Sequence, residues 1–215
     1  MNDPDDNATT YPPAPWRMTG HMWLASFAVR ADVDETRPAG TYQVAFVDYT
    51  ADSAMVYSEL MVGRVIGSGE YRNHFTISDI WVDLPASVAG GRQIWGVPKE
   101  LAQFSKTETV RGPLARTALG CDAGEHPIVR AHFTDASRLT VPIPLRGRTF
   151  QPPLPEGDGT KLSSMQARAR ALPCASSWEF DPDGPLAWLH GTTPRMSMRA
   201  YRFHMTMGVA ETLTV

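Results

Sequence analysis

Lysine is scarce in this chain. Of its 215 residues, 20 are Lys or Arg, and only Lys99, Lys106 and Lys161 are lysines. No basic tract occurs and the formal charge is −3. Neutralising a phosphate backbone takes clustered positive charge, so no nucleic-acid partner is expected. Long apolar runs are missing as well: none approaches the roughly 20 residues of a membrane-spanning helix, so no membrane partner is expected. The first ten residues are polar and acidic where a secretory signal is basic and then apolar, which suggests a cytoplasmic protein. There are only two cysteines, Cys121 and Cys174, and in that compartment they are expected to stay reduced. The six histidines form no H-x-H, H-E-x-x-H or cysteine-paired spacing, so no metal and no cofactor is expected.

What the chain does have is alternation. Residues 1–11 read as a loose polar arm, Pro12, Pro13 and Pro15 as an extended lead, and 12–215 as one domain with a real core. Apolar residues return with period two over 23–29, 42–49, 55–66, 74–82, 107–119, 128–133 and 139–145, which predicts a mainly β fold. Turn residues at 67–69, 121–124 and 181–184 favour antiparallel meanders over β-α-β units. Gly67-Ser68-Gly69 is a hairpin turn and no dinucleotide loop, because Arg72 stands where the third glycine would be. Over 195–207 strict alternation puts Tyr201, Phe203, Met205 and Met207 on one face, with Met196, Met198, Ala200 and His204 on the other. Such a stretch suits a strand covered on both sides, and its methionines suit either a core or an adaptable pocket.

The helical exception is 86–104. Pro85 starts it, Gly90-Gly91 is expected to stop it, and Pro98 stiffens a turn that presents Lys99. Lys99 is flanked by Trp95, Val97 and Leu101. Two readings follow from those neighbours. In one, Lys99 lays its stem on Trp95 and keeps its charge in water. In the other, an apolar pocket lowers its pKa and makes the neutral amine a nucleophile toward carbonyl carbons.

The segment Gly91-Arg92-Gln93 to Pro98-Lys99, with Tyr57-Ser58-Glu59 upstream, resembles the acetoacetate decarboxylase superfamily. Weaker echoes are Pro15-Trp16, Arg30-Ala31-Asp32, and the segment around Trp188 and Gly191. The resemblance implies a closed, cone-like antiparallel β-barrel with a few short helices, an internal apolar active site and a homo-oligomer. It implies that Lys99 forms a Schiff base with a small-molecule keto substrate and that Glu59 is the general acid/base. Tyr57 and Trp95 are then expected beside the substrate, and His21 falls where the decarboxylases carry a carboxylate-binding arginine.

Two positions depart from the pattern. Glu100 stands where the decarboxylases have a second lysine, and a carboxylate facing the nucleophile would raise its pKa. Adjacent residues point in different directions, so Glu100 is expected to face away and leave desolvation to activate Lys99. His21 is also a weaker carboxylate partner than arginine. The expected function is a Schiff-base-forming lyase acting on a β-keto acid or related keto compound. The alternatives are an aldolase, dehydratase or cyclase of the same superfamily working on a larger keto substrate, or a non-catalytic small-molecule-binding barrel.

Overall fold

Period-two alternation does build a barrel wall, and the same strands serve two cores. A computed structural model describes residues 10–136 and 139–213. Along the chain it forms β1 (Trp16–Val29), β2 (Gly40–Tyr49), β3 (Ser58–Val65), β4 (Phe75–Val82), α1 (Pro85–Trp95), β5 (Lys99–Leu101) and β6 (Gln103–Arg111). There follow β7 (Leu114–Ala123), β8 (His126–Asp135), β9 (Pro142–Gln151), β10 (Thr160–Pro173), β11 (Ala175–Phe180), a 3-10 turn (Ala187–Leu189), β12 (Met196–Met207) and β13 (Glu211–Leu213).

The wall runs β12-β1-β2-β3-β4-β9-β10, and pairing of β10 with β12 closes it into a seven-stranded barrel. Six of those seven junctions are antiparallel ladders; β4 and β9 run parallel and share the single pair Phe75–Thr149. Gln151 repairs that weak seam. Its buried amide accepts from the Ile77 N–H at 2.7 Å and donates to the Ile77 carbonyl at 3.1 Å, taking the place of a missing ladder rung. A second sheet, β11-β8-β7-β6, lies against the outside of the barrel.

Side chains alternate across the wall. On β1 and β2 the outward residues Trp23, Phe27, Tyr42 and Phe46 join Phe133, Trp178 and Phe180 of the second sheet in an aromatic core. The inward residues Trp16, Met18, Val47 and Tyr49 join Ile80, Val82, Trp95 and Phe203 in the barrel interior.

Several elements differ from the sequence expectation. The stretch 107–119 is two strands, β6 and β7, joined at Gly112-Pro113, because Gly112 at φ 59° makes the turn. Strands β10, β11 and β13 go beyond the predicted set. On β12, Arg202 sits at φ 52° and the pairing slips against both neighbours. This bulge shifts the phase, so Ala200 and Phe203 share the inner face and Tyr201 lies outside with His21, correcting the strict alternation. The wall is the antiparallel barrel expected, except at β4, which pairs parallel with β5 and, at a single residue pair, with β9. The predicted arm falls on residues 1–9, outside the described residues, except at its end: Tyr11 packs against the interior cluster. Among the described residues no helix is long and apolar enough to cross a membrane, and no group of acidic, His or Cys side chains could hold a metal.

Candidate active site

Lys99 reaches the barrel interior because three local features converge on it. Pro85 opens α1, where its missing N–H costs nothing, and the helix runs on through Gly90-Gly91. It ends at Gly96, whose φ of 62° lets its N–H bond back to the Arg92 carbonyl. This corrects the expected stop at Gly90. Lys99 then opens β5, a strand paired with Ile80–Val82 of β4, and is held by a ladder where a stiffened turn was expected. β3 occupies one edge of β4, so β5 fills the other edge where β9 has diverged.

The motif residues acquire physical roles. A Cβ at Gly91 would lie 2.6 Å from Lys99 Cδ, so only glycine lets the lysine stem lie across the helix. Arg92 donates through Nη1 to the Lys99 carbonyl at 3.0 Å and through Nε to Glu156 at 2.7 Å, which tethers the backbone of the lysine.

Lys99 is 6% exposed and Glu59 is 4% exposed. All three ammonium protons find acceptors: Glu59 Oε2 at 2.8 Å, Ser87 Oγ at 2.9 Å and Tyr57 Oη at 3.2 Å. Tyr49 Oη donates to the other Glu59 oxygen at 3.2 Å. The Tyr49 and Tyr57 rings lie 4.5 Å apart, and Lys99 Nζ is 4.9 Å from the Tyr57 ring centre. Period two explains the convergence: Tyr57 and Glu59 share a side of the chain, and Glu59 pairs across from both Val47 and Val82 on inward positions.

The electrostatics correct one expectation. Burial pulls the Lys99 pKa down, but the Glu59 carboxylate and then Tyr57 outweigh it, and the amine is held above its ordinary value. The unliganded site therefore holds an ammonium–carboxylate pair in place of the neutral amine expected from desolvation alone. Burial first, and then Glu59, raises the Tyr49 phenol well above its usual range; burial also raises Tyr57 against the pull of Lys99. Both phenols keep their protons at neutral pH.

Lys99, Glu59 and Tyr57 thus come together, whereas Trp95 and His21 stand apart from their hydrogen-bonded group. Trp95 packs edge-on against Trp16 at 4.6 Å and donates to the Gly208 carbonyl at 2.8 Å, closing the interior near α1. His21 lies on the outside of β1, stacked near Tyr201 and accepting from the Arg202 N–H at 3.2 Å. Burial first, and then Arg199, lowers its pKa to about 4. Its expected place beside the substrate is corrected by the alternation of β1, which turns it away from Lys99. Glu100 is exposed, as the sequence led us to expect. The sequence reading overlooked Ser87 and Tyr49. Ser87 falls on the predicted helix 12 positions before Lys99, and Tyr49 ends a predicted strand whose inward face could have been traced from Val47.

Comparison with known proteins agrees with this geometry. The family model for acetoacetate decarboxylase (ADC) matches residues 32–146, over half the chain, including Glu59 and Lys99. Among solved structures, acetoacetate decarboxylase from Legionella pneumophila has 16% identity over 100% of this chain and 92% of its own, with a TM-score of 0.66. The enduracididine biosynthesis enzyme MppR has 16% identity over 97% of this chain and 91% of its own, TM-score 0.61. An acetoacetate decarboxylase-like enzyme from Sphingomonas wittichii RW1 has 16% identity over 99% of this chain and 98% of its own, TM-score 0.59. No curated protein matches the sequence significantly. The chain has the barrel of these enzymes and belongs to the acetoacetate decarboxylase family.

Proposed function

We propose that the protein is an imine-forming carbon–carbon lyase that acts on a keto compound, with Lys99 as nucleophile and Glu59 as proton shuttle. The observation that carries this reading is the buried Lys99–Glu59 pair at 2.8 Å, enclosed by hydroxyl groups inside an apolar barrel. As a carbonyl approaches, Glu59 takes one ammonium proton, and the free amine adds to the carbonyl carbon. Proton transfer within the adduct gives a carbinolamine. Glu59 returns its proton to the hydroxyl, which leaves as water, and the nitrogen retains a positive charge as the iminium. The site then holds iminium and carboxylate where it began with ammonium and carboxylate, so the reaction changes no net charge in the interior. The iminium accepts the electron pair released when a β-carboxylate departs as carbon dioxide, or when a carbon–carbon bond forms or breaks beside it. Ser87 and Tyr57 hold the ammonium before reaction, the single N–H of the iminium keeps one of these acceptors, and Tyr49 orients the Glu59 carboxyl.

A second reading, aldol or dehydration chemistry on a larger keto compound, is favoured by the lining. The inward strand positions among the described residues carry Met18, Met61, Met165, Met205 and Met207 but no arginine or histidine that could hold a substrate carboxylate, and Lys161, in phase with them on β10, is engaged by Asp158 and Thr212.

Borohydride trapping tests the proposal. Incubation with acetoacetate or with neutral methyl ketones, followed by reduction, should leave an adduct on the Lys99 peptide and none on Lys106 or Lys161. An unmodified Lys99 across both sets overturns the imine mechanism. Adducts with neutral ketones and no carbon dioxide from acetoacetate would select the second reading.

A further inference from the structure

The barrel's outer surface has two halves. The aromatic half is covered by the second sheet. The other half, made by β9, β10, β12 and β1, carries two adjoining clefts of about 700 and 680 Å³ that share Thr19, Asp52, Arg168 and His204. Strand register explains what lines them. One cross-strand row reads Arg146, Gln166, Thr206, Arg17; the next reads Pro144, Arg168, His204, Thr19; Arg170 and the bulged Arg202 follow. Directly opposed residues on one face of a sheet lie about 5 Å apart, so the register brings scattered arginines into one surface. The clefts gather five arginines against one acid, Asp52, in a chain whose formal charge is −3.

The arginines here are placed differently from those elsewhere. Arg37, Arg92 and Arg130 are each bound to a carboxylate. Arg17, Arg146, Arg168 and Arg202 are exposed and enter no ion pair among the described residues. The wall is also shaped at this point. One extra residue in β12 at Arg202 makes the pairing slip against both β1 and β10, whose ladders with β2 and β9 run unbroken. Bulges re-aim side chains, and a non-glycine residue at positive φ persists only where its surroundings hold it. Here His21 holds it by accepting the Arg202 N–H.

We propose that this face is an anion-binding groove, separate from the Lys99 site, for a small molecule carrying two or more phosphate or carboxylate groups. Planar guanidinium groups match both kinds of oxyanion through paired N–H donors. The number of arginines demands several anionic groups, and each cleft falls in the roughly 300–1,000 Å³ range of small-molecule sites.

Titration calorimetry of the full chain with pyrophosphate and with citrate tests the groove and its source of charge. At least one probe should bind at one per chain. Arg168→Gln and Arg202→Gly should each weaken it about 10-fold or more, the loss commonly seen when a charge-assisted hydrogen bond is removed. Glycine at 202 keeps the positive φ, so the second variant removes the guanidinium without straining the fold. Lys99→Ala and the second-sheet control Arg116→Gln should bind as wild type. Binding of pyrophosphate alone assigns a phosphorylated ligand, and of citrate alone a polycarboxylate. No heat with either probe, or an equal loss in Arg116→Gln, overturns the proposal: the first leaves no site and the second only diffuse charge.

Discussion

The two cores of this protein lie on opposite sides of one wall and have opposite chemistry. Between the sheets, Phe27 packs edge-on against Trp178 at 5.6 Å and Phe180 at 5.3 Å, and Phe133 packs against Trp178 at 5.4 Å. Inside the barrel, methionines and tyrosines surround a charged pair bound by hydroxyls. Alternation along β1 and β2 feeds both at once. A buried ion pair is a weak source of stability, because desolvation offsets much of its attraction. Aromatic burial is a strong one. The outer core therefore carries much of the folding energy, and the interior is free to hold groups selected for chemistry.

Breaking the interior pair gives the largest effect. Glu59→Gln should slow turnover about 100-fold or more, as loss of a general acid/base does. Glu59→Ala should in addition lower stability by about 3–5 kcal/mol, because Lys99 is left as an unpaired buried charge. Denaturant midpoints and steady-state rates separate the two losses. The outer core should behave in the reverse way. Phe27→Ala should lower stability by about 3–5 kcal/mol while the folded fraction still forms the Lys99 adduct. A variant that loses adduct in proportion to stability would join the two cores into one unit.

Changing pH sharpens the same contrast. The Lys99 pKa is raised on folding, so its pairing contributes fully below the ordinary value of 10.5 and fades as pH climbs through the higher folded value. The stability gap between wild type and Lys99→Met should therefore narrow only in strong alkali. His21, on the outer side, has the opposite sign. Its pKa falls from 6.5 to about 4, so the unfolded chain takes up the proton first and stability drops as pH falls through that window. His21→Phe should flatten the drop. The smallest effect belongs to Glu100→Gln, which should change stability by less than about 0.5 kcal/mol, since the side chain is exposed. A large rise in its rate of adduct formation would mean that the carboxylate does reach the nucleophile.

The barrel was legible in its period-two alternation, and two residues of the candidate site were legible in different ways. Lys99 stands out as a lone lysine among apolar residues, and Glu59 was marked only by the family resemblance of Tyr57-Ser58-Glu59. Ser87 has no such contrast, because a serine on a short helix reads as surface until the helix is folded across Lys99. β10 was hidden because its inward face carries Lys161, Ser163, Ala167 and Ala169 around the single methionine Met165, too little to mark an apolar period, while Arg168 and Arg170 make the stretch look solvated. Those arginines look dispersed in one dimension and form a surface only when strand register lines them up. The faces of β12 were misread because alternation is a reliable guide only while the count of residues is unbroken.

That last point gives Arg202 a meaning of its own. Inside and outside are assigned by counting, and at Arg202 the count is advanced by one residue. Everything after it on β12, including Met205 and Met207, owes its inward position to that single step. A regular ladder through an intact Arg202 would send His204 and Thr206 into the barrel and the two methionines into water, whereas deleting this exposed residue would remove the bulge and leave Phe203, Met205 and Met207 facing inward. The wall thus carries a frame, as a reading frame does, and a surface arginine sets it.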